Sequence, residues 1–190
     1  MRVRLDGRRR NLTEGDFLFW TVLGLLGLER LWELALSWKH ERILLARGAE
    51  RPPRDGFLAF VIIHSLLFVA LPVEWMYAPY SRTGPSTWAF LALAAGAASL
   101  RYWVIATLKE RWCARVLRLP DVPLVATGPY RWIRHPNYVA VAVELFAVTL
   151  AFGCVATSIV LGAANLGALL YRIRVEEEFL GMRPAPSATS

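Results

Sequence analysis

The chain has 190 residues, 56% of them hydrophobic, a mean hydropathy of +0.38 and a net charge of +7. Soluble domains run about 45–50% apolar, so the composition excludes an ordinary water-facing fold, and the length suggests one domain. The basic balance does not point to nucleic acid, because Lys and Arg fall between apolar runs, where span ends meet the cytoplasm and an anionic leaflet.

The apolar content is gathered into runs. The start is Arg-rich (Arg2, Arg4, Arg8, Arg9, Arg10), and no small-residue cleavage site follows the first run, so no cleavable signal peptide is expected. That run begins near Phe17, meets Glu29, Arg30 and Glu33, and continues towards Arg47. Thr13 to Asp16 reads as a helix start and Gly48 as a stop. A helix over Asp16–Arg47 would be about 48 Å long against a hydrocarbon core of about 30 Å, so it should cross and then protrude. Arg51-Pro52-Pro53-Arg54 breaks it.

Phe57–Tyr77 is a second span, holding His64 and a late Pro72, and Pro79 to Pro85 form a short loop. Ser86–Leu108 is a third span, rich in small residues that permit close helix packing in lipid. Arg101 interrupts it within snorkelling reach of an interface. Lys109–His135 is polar and basic. Asn137–Phe152 and Val155–Tyr171 follow, divided by Gly153, each about 25 Å as a helix and best read as a tight hairpin. The last residues, 183–190, read as a frayed, disordered tail.

Charge bias puts Lys39–Asp55, Lys109–His135 and the C-terminus in the cytoplasm. Five crossings then leave the N-terminus outside, which its arginines oppose, so the two rules disagree for the first helix. Cys113 and Cys154 have neither metal nor redox spacing, so no metal is expected. The reading is an all-α integral membrane protein of about five transmembrane helices with a C-terminal helical hairpin.

Two stretches carry chemistry. In Pro123–Tyr138 (PLVATGPYRWIRHPNY), Gly128-Pro129 reads as a turn and Arg134-His135-Pro136 as a break. Proline restricts the residue before it and suits the first helical position. Pro136 should therefore start the fourth helix, with His135 and Tyr138 at its mouth beside free N–H groups and the positive dipole end. From spacing alone an ordinary cytoplasmic loop with aromatics at the interface is the better explanation of the stretch. The second stretch, Arg172-Ile173-Arg174-Val175-Glu176-Glu177-Glu178, offers the i,i+4 pairs Arg172/Glu176 and Arg174/Glu178, which a solvated helix end would also explain.

Together, PYRWIRHPNY, a hydrophobic hairpin and RIRVEE resemble the isoprenylcysteine carboxyl methyltransferase family of membrane methyltransferases, from about Arg101 to Leu180. The earlier ERLWELALSWKHERILLARGAE looks like a bacterial branch linked to phenolic polyketide lipids such as alkylresorcinols and alkylpyrones. The resemblance implies residues 1–100 as N-terminal transmembrane helices and 101–182 as a core binding S-adenosyl-L-methionine in a pocket facing the cytoplasm, in a bacterial inner membrane. It implies that backbone around Leu124 and Val125, with Tyr130, His135, Pro136 and Tyr138, encloses the adenosine part. One glutamate of Glu176/Glu177 would hold the amino group. Arg172 or Arg174, with Arg172 preferred, would face the substrate or the donor's carboxylate, and Arg115 is a weaker candidate. After Glu178 the chain departs from the family's pattern, which continues with a longer helix.

The chemistry is consistent with that implication. A methyl-donor sulfonium carrying an ammonium and a carboxylate wants both Glu and Arg, and holding oxygen, methyl and sulfur in line provides much of the acceleration. The acceptor is expected to be a lipophilic small molecule, carboxylate or phenol. A carboxylate is already ionised, whereas a phenol with pKa near 10 reacts better when its proton is removed. Glu144 and His64 lie inside apolar runs and are functional candidates there. Glu144 is expected either to orient or deprotonate the acceptor or to make a helix-to-helix hydrogen bond, and His64 is read chiefly as a packing histidine. The rivals are an NADPH-dependent membrane sterol-type reductase, which carries a similar RHPNY-like loop but a C-terminal aromatic and basic segment missing here, and a non-enzymatic scaffold or transporter.

Overall fold

Helix α1 covers Glu14–Ala46. It ends because Gly48 adopts φ +84°, letting the amides of Gly48 and Ala49 cap the carbonyls of Leu45 and Leu44, a Schellman arrangement that glycine makes cheaply. A computed structural model describes residues 14–77 and 83–182; Thr13 of the expected helix start and the expected tail at 183–190 lie outside them. The remaining helices are α2 (Phe57–Tyr77), α3 (Pro85–Leu108), α4 (Pro136–Ala151) and α5 (Val155–Phe179), with 3-10 turns at Lys109–Arg111 and Gly128–Arg131. Among the described residues the only bridge is the backbone pair Glu50–Arg118. The molecule is all-helical, as expected.

Among the described residues three helices are long and apolar enough to cross a membrane: α2, α3 with the turn that follows it, and α5. Helix α4 has 16 residues, about 24 Å. Helix α1 has 33 residues but carries Glu29, Arg30 and Glu33 in its middle. Helix α5 differs from the expected short hairpin arm: it runs eight residues past Tyr171, to about 37 Å in all. The run RIRVEEEF contains no glycine or proline and consists mostly of fair helix formers, so nothing stops the helix where the apolar residues end.

The interior is packed mainly at one end. Phe19, Leu23 and Leu26 of α1 meet Leu67, Leu71 and Trp75 of α2, with Val148, Ala151 and Phe152 beside them. Phe19 stacks on Trp75 at 4.7 Å between ring centroids, Phe152 meets both edge-on, and the Trp75 indole N–H donates to Asp16. Leu25, Leu28, Leu58, Ile62, Val69, Ile159, Val160 and Leu170 point outward and are exposed, as lipid-facing residues would be.

The opposite end holds the polar segments. The Glu50–Arg118 pair ties the α1–α2 connection to segment 109–135, and Arg118 donates to the Phe179 carbonyl at the end of α5. Lys39–Asp55, Lys109–His135 and the end of α5 therefore share one face of the molecule. The boundary expected at residues 100/101 falls within α3, and Arg101 itself joins α3 to α1 and α4.

Candidate functional site

Segment 109–135 folds over the ends of the helices because α1 holds it. His40 Nδ1 donates to the Trp112 carbonyl at 2.8 Å, and the Ala114 amide donates to Ser37 Oγ at 2.9 Å. Trp112 and Val116 are thereby buried. Arg115 lies between Glu41 and Asp55, at 3.4 and 3.5 Å, with its guanidinium over the Phe57 ring. Gly128 has φ +60°, and a Cβ there would lie 2.4 Å from Thr107 Oγ1, so the turn seats directly on α3 only because that side chain is missing.

Beneath this segment lies a cavity of about 620 Å³, reaching from its loops into the space between α1 and α2, within the roughly 300–1,000 Å³ typical of small-molecule sites. Leu124, Val125, Tyr130, His135, Tyr138, Arg172, Glu176 and Arg115 line it. Pro136 is buried at the first position of α4 and Glu177 is buried just behind the wall.

The break before α4 meets the acidic end of α5. His135 Nε2 lies 3.1 Å from Glu177 Oε1 and its Nδ1 3.9 Å from Glu176 Oε1. Tyr138 donates its hydroxyl proton to Glu176, while Arg172 Nε donates to the Tyr138 oxygen at 2.9 Å and Arg172 Nη2 to the Ala114 carbonyl. The His135 and Tyr138 rings are stacked, and the Arg172 guanidinium also sits over Phe60 of α2. Burial and the neighbouring Glu176 push the Tyr130 hydroxyl far above its usual range, so it stays protonated as a donor. Two polar atoms of cavity-lining residues, Asn137 Oδ1 and Trp112 Nε1, are buried without a partner among the described residues. Such atoms are costly unless something pairs them.

Arg172 is buried and turned to Tyr138 and segment 109–135, so it does not form the i,i+4 pair with Glu176 that its spacing allows. Arg174, two residues on, is exposed and off the cavity wall. A 100° step per residue puts the two arginines on opposite sides of α5. Glu144 does not line this cavity either. Its carboxylate takes Arg101 Nη2 and, at 3.2 Å, Arg30 Nη2, so it is a buried ion-pair member rather than a free base. Arg101 does not snorkel. It is 1% exposed, and its second nitrogen meets both oxygens of Glu33 at 3.0 and 3.3 Å. Arg30 completes the cluster at 2.8 Å from Glu33 and 3.4 Å from Glu29.

Sequence reasoning did not assign this cluster, nor Ser37, His40 and Trp112, which seat the segment over the cavity. The signal for the cluster was the interruption of three apolar runs by charge, at 29–33, at 101 and at 144; which helices would bring those charges together was not readable.

Residues 90–182 match the isoprenylcysteine carboxyl methyltransferase (ICMT) family. The chain is similar to the uncharacterised protein YpbQ of Bacillus subtilis, 30% identical over 166 residues that cover 86% of this chain and 96% of that one. It is also similar to an uncharacterised protein of Haemophilus influenzae, 27% identical over 150 residues, covering 78% and 86%. No solved structure matches the chain. With the family's signature region forming the loops and helix ends around one cavity in a helical membrane protein, the chain belongs to the isoprenylcysteine carboxyl methyltransferase family, whose members are membrane methyltransferases.

Proposed function

We propose that the protein is an S-adenosyl-L-methionine-dependent O-methyltransferase of a bacterial inner membrane, working from the cytoplasmic face on a lipophilic acceptor. The observation that carries the reading is the meeting of His135, Tyr138, Arg172, Glu176 and Glu177 at one end of a cavity whose other end reaches between α1 and α2.

The residues present fit the donor. Glu176 offers a carboxylate to its ammonium, and Arg172 or the cavity-lining Arg134 a cation to its carboxylate. Tyr130, His135 and Tyr138 offer rings to its adenine, with Leu124 and Val125 as an apolar edge. The orphaned Asn137 Oδ1 and Trp112 Nε1 are an unspent acceptor and donor for its polar groups. When bound, the donor supplies an activated methyl on a sulfonium. The protein's task is alignment and exclusion of water. Segment 109–135 provides the cover, and Arg172 is held by Tyr138 and Ala114 so that its charge stays at the junction of the two halves.

The acceptor's route is lateral. Leu31 of α1 and Val61 and Ser65 of α2 line the cavity and are exposed, and between these two helices an acceptor dissolved in lipid would enter. A water-soluble donor and a membrane-dissolved acceptor then reach one cavity from two solvents.

Isothermal titration of the purified full chain in detergent or nanodiscs tests the donor: S-adenosylhomocysteine should bind and NADPH should not. Incubation with a labelled methyl donor and two acceptor panels, prenylated cysteines and long-chain resorcinols or pyrones, tests the transfer. NADPH binding with no S-adenosylhomocysteine binding refutes the reading.

A further inference from the structure

The cavity wall contains a base that the donor site does not use. His64, on α2, lines the cavity, and its Nδ1–H donates to the Phe60 carbonyl at 2.9 Å in the neutral ring. That bond sets the tautomer and leaves the Nε2 lone pair as the acceptor. No partner for Nε2 exists among the described residues.

Other bases on the wall are committed. Both oxygens of Glu33 take guanidinium nitrogens, Glu176 takes Tyr138, and His135 Nε2 faces Glu177. Tyr130 stays protonated.

Position matters as much as availability. Phe60 carries the Arg172 guanidinium 5.4 Å above its ring, and His64 is one turn further into the membrane, about 6 Å along α2. Along α4 the interval from Tyr138 to Glu144 is about 9 Å.

Glu29, Glu33 and Glu144 face Arg30 and Arg101, and Arg30 and Glu144 share with His64 a small void between α1, α2 and α4. The cluster's own carboxylates are taken up by these guanidiniums, which leaves His64 as the base open to the cavity. A base there serves an acceptor that arrives as a neutral hydroxyl and gives nothing to one that arrives as a carboxylate.

We propose that His64 is the general base for methylation of a neutral, weakly acidic hydroxyl, of phenol class. The inference rests on the methyl-donor reading above. The acceptor's O–H bond breaks and its proton moves to His64 Nε2. The oxygen's electron pair forms the bond to the methyl carbon of the sulfonium donor, and the carbon–sulfur pair stays on sulfur as a neutral thioether. The proton then leaves His64 to water at the cavity mouth.

The test uses the full chain and His64→Asn, whose amide can keep the bond to the Phe60 carbonyl while removing the base. S-adenosylhomocysteine should bind both proteins within twofold, which also establishes that the variant folds. With a long-chain phenol of ordinary acidity, kcat of the variant should fall about 100-fold or more, the range general-base catalysis supplies. With a long-chain nitrophenol already ionised at the assay pH, it should fall less than fivefold. A readout apart from turnover is the visible absorbance of a nitrophenol of intermediate acidity, bound together with S-adenosylhomocysteine. The wild type should shift it to the phenolate band and His64→Asn should not. Equal losses with both acceptors, or none, alongside intact S-adenosylhomocysteine binding overturn the base and leave the methyl-donor reading standing. A wild type that binds no S-adenosylhomocysteine removes both.

Discussion

Replacing Arg101 by Met tests the membrane-embedded ion cluster most directly. Arg101 is 1% exposed and makes three close contacts, two to Glu33 and one to Glu144. Met keeps most of the volume and removes the charge. Arg30 would then be the only cation for Glu29, Glu33 and Glu144. Removing one partner of a buried pair costs about 3–5 kcal/mol, because the other charge stays buried without compensation. Glu144→Gln should cost less, about 1–2 kcal/mol, since it leaves Arg101 and Arg30 their other carboxylates and its amide can still accept from Arg101. The asymmetry is the point: surface-type ion pairs would lose a few tenths either way, and hydrogen bonds between helices in bilayers average about 0.6 kcal/mol. Unfolding in mixed micelles, followed by tryptophan fluorescence, measures both variants and the double variant. The double replacement should be less damaging than the sum, because it removes both halves of the worst mismatch. Equal costs for the two single variants, or a larger cost for Glu144→Gln, would refute the central place of Arg101 in the cluster.

Three further outcomes follow from the geometry. Glu176→Gln should weaken S-adenosylhomocysteine binding by about 10- to 100-fold, the worth of a hydrogen bond to a charged group, measured by titration; a change under twofold places the ammonium elsewhere. Gly128→Ala should destabilise by about 1–3 kcal/mol, because it adds a clash with Thr107 to a left-handed φ, and Thr107→Ala in the same chain should recover part of the loss; full stability of the single variant contradicts the contact. The Cys113 thiol is pushed up by burial, so its thiolate is scarce at neutral pH and grows only above the usual thiol range. Maleimide should label it far more slowly at pH 7 than a free thiol, and labelling at the free-thiol rate would show an exposed thiolate.

Much of the fold was legible along the chain because each helix is bounded by local chemistry. Gly48, Pro85, Pro136 and Gly153 punctuate the helices near where the structure ends or begins them, and hydrophobic length alone marks α2 and α3 as spans. The approach of PYRWIRHPNY to RIRVEE was readable only as a family resemblance. Composition and spacing allowed an interfacial loop and a solvated helix end at least as well, since hydrogen bonds between residues 38 or 42 positions apart leave no periodic trace.

The tertiary structure decided the roles of the charges. Arg101, Glu144 and the triplet Glu29, Arg30 and Glu33 are each interruptions of an apolar run, and each alone reads as a snorkelling group or an isolated candidate. Packing of α1, α3 and α4 makes them one cluster, and the place of α2 beside it puts His64 on a cavity wall. Local sequence determines backbone conformation and which segments prefer lipid, because those depend on a residue and its near neighbours. Whether a buried charge is paired, and with what, depends on which helices meet, and that is settled only when the chain folds.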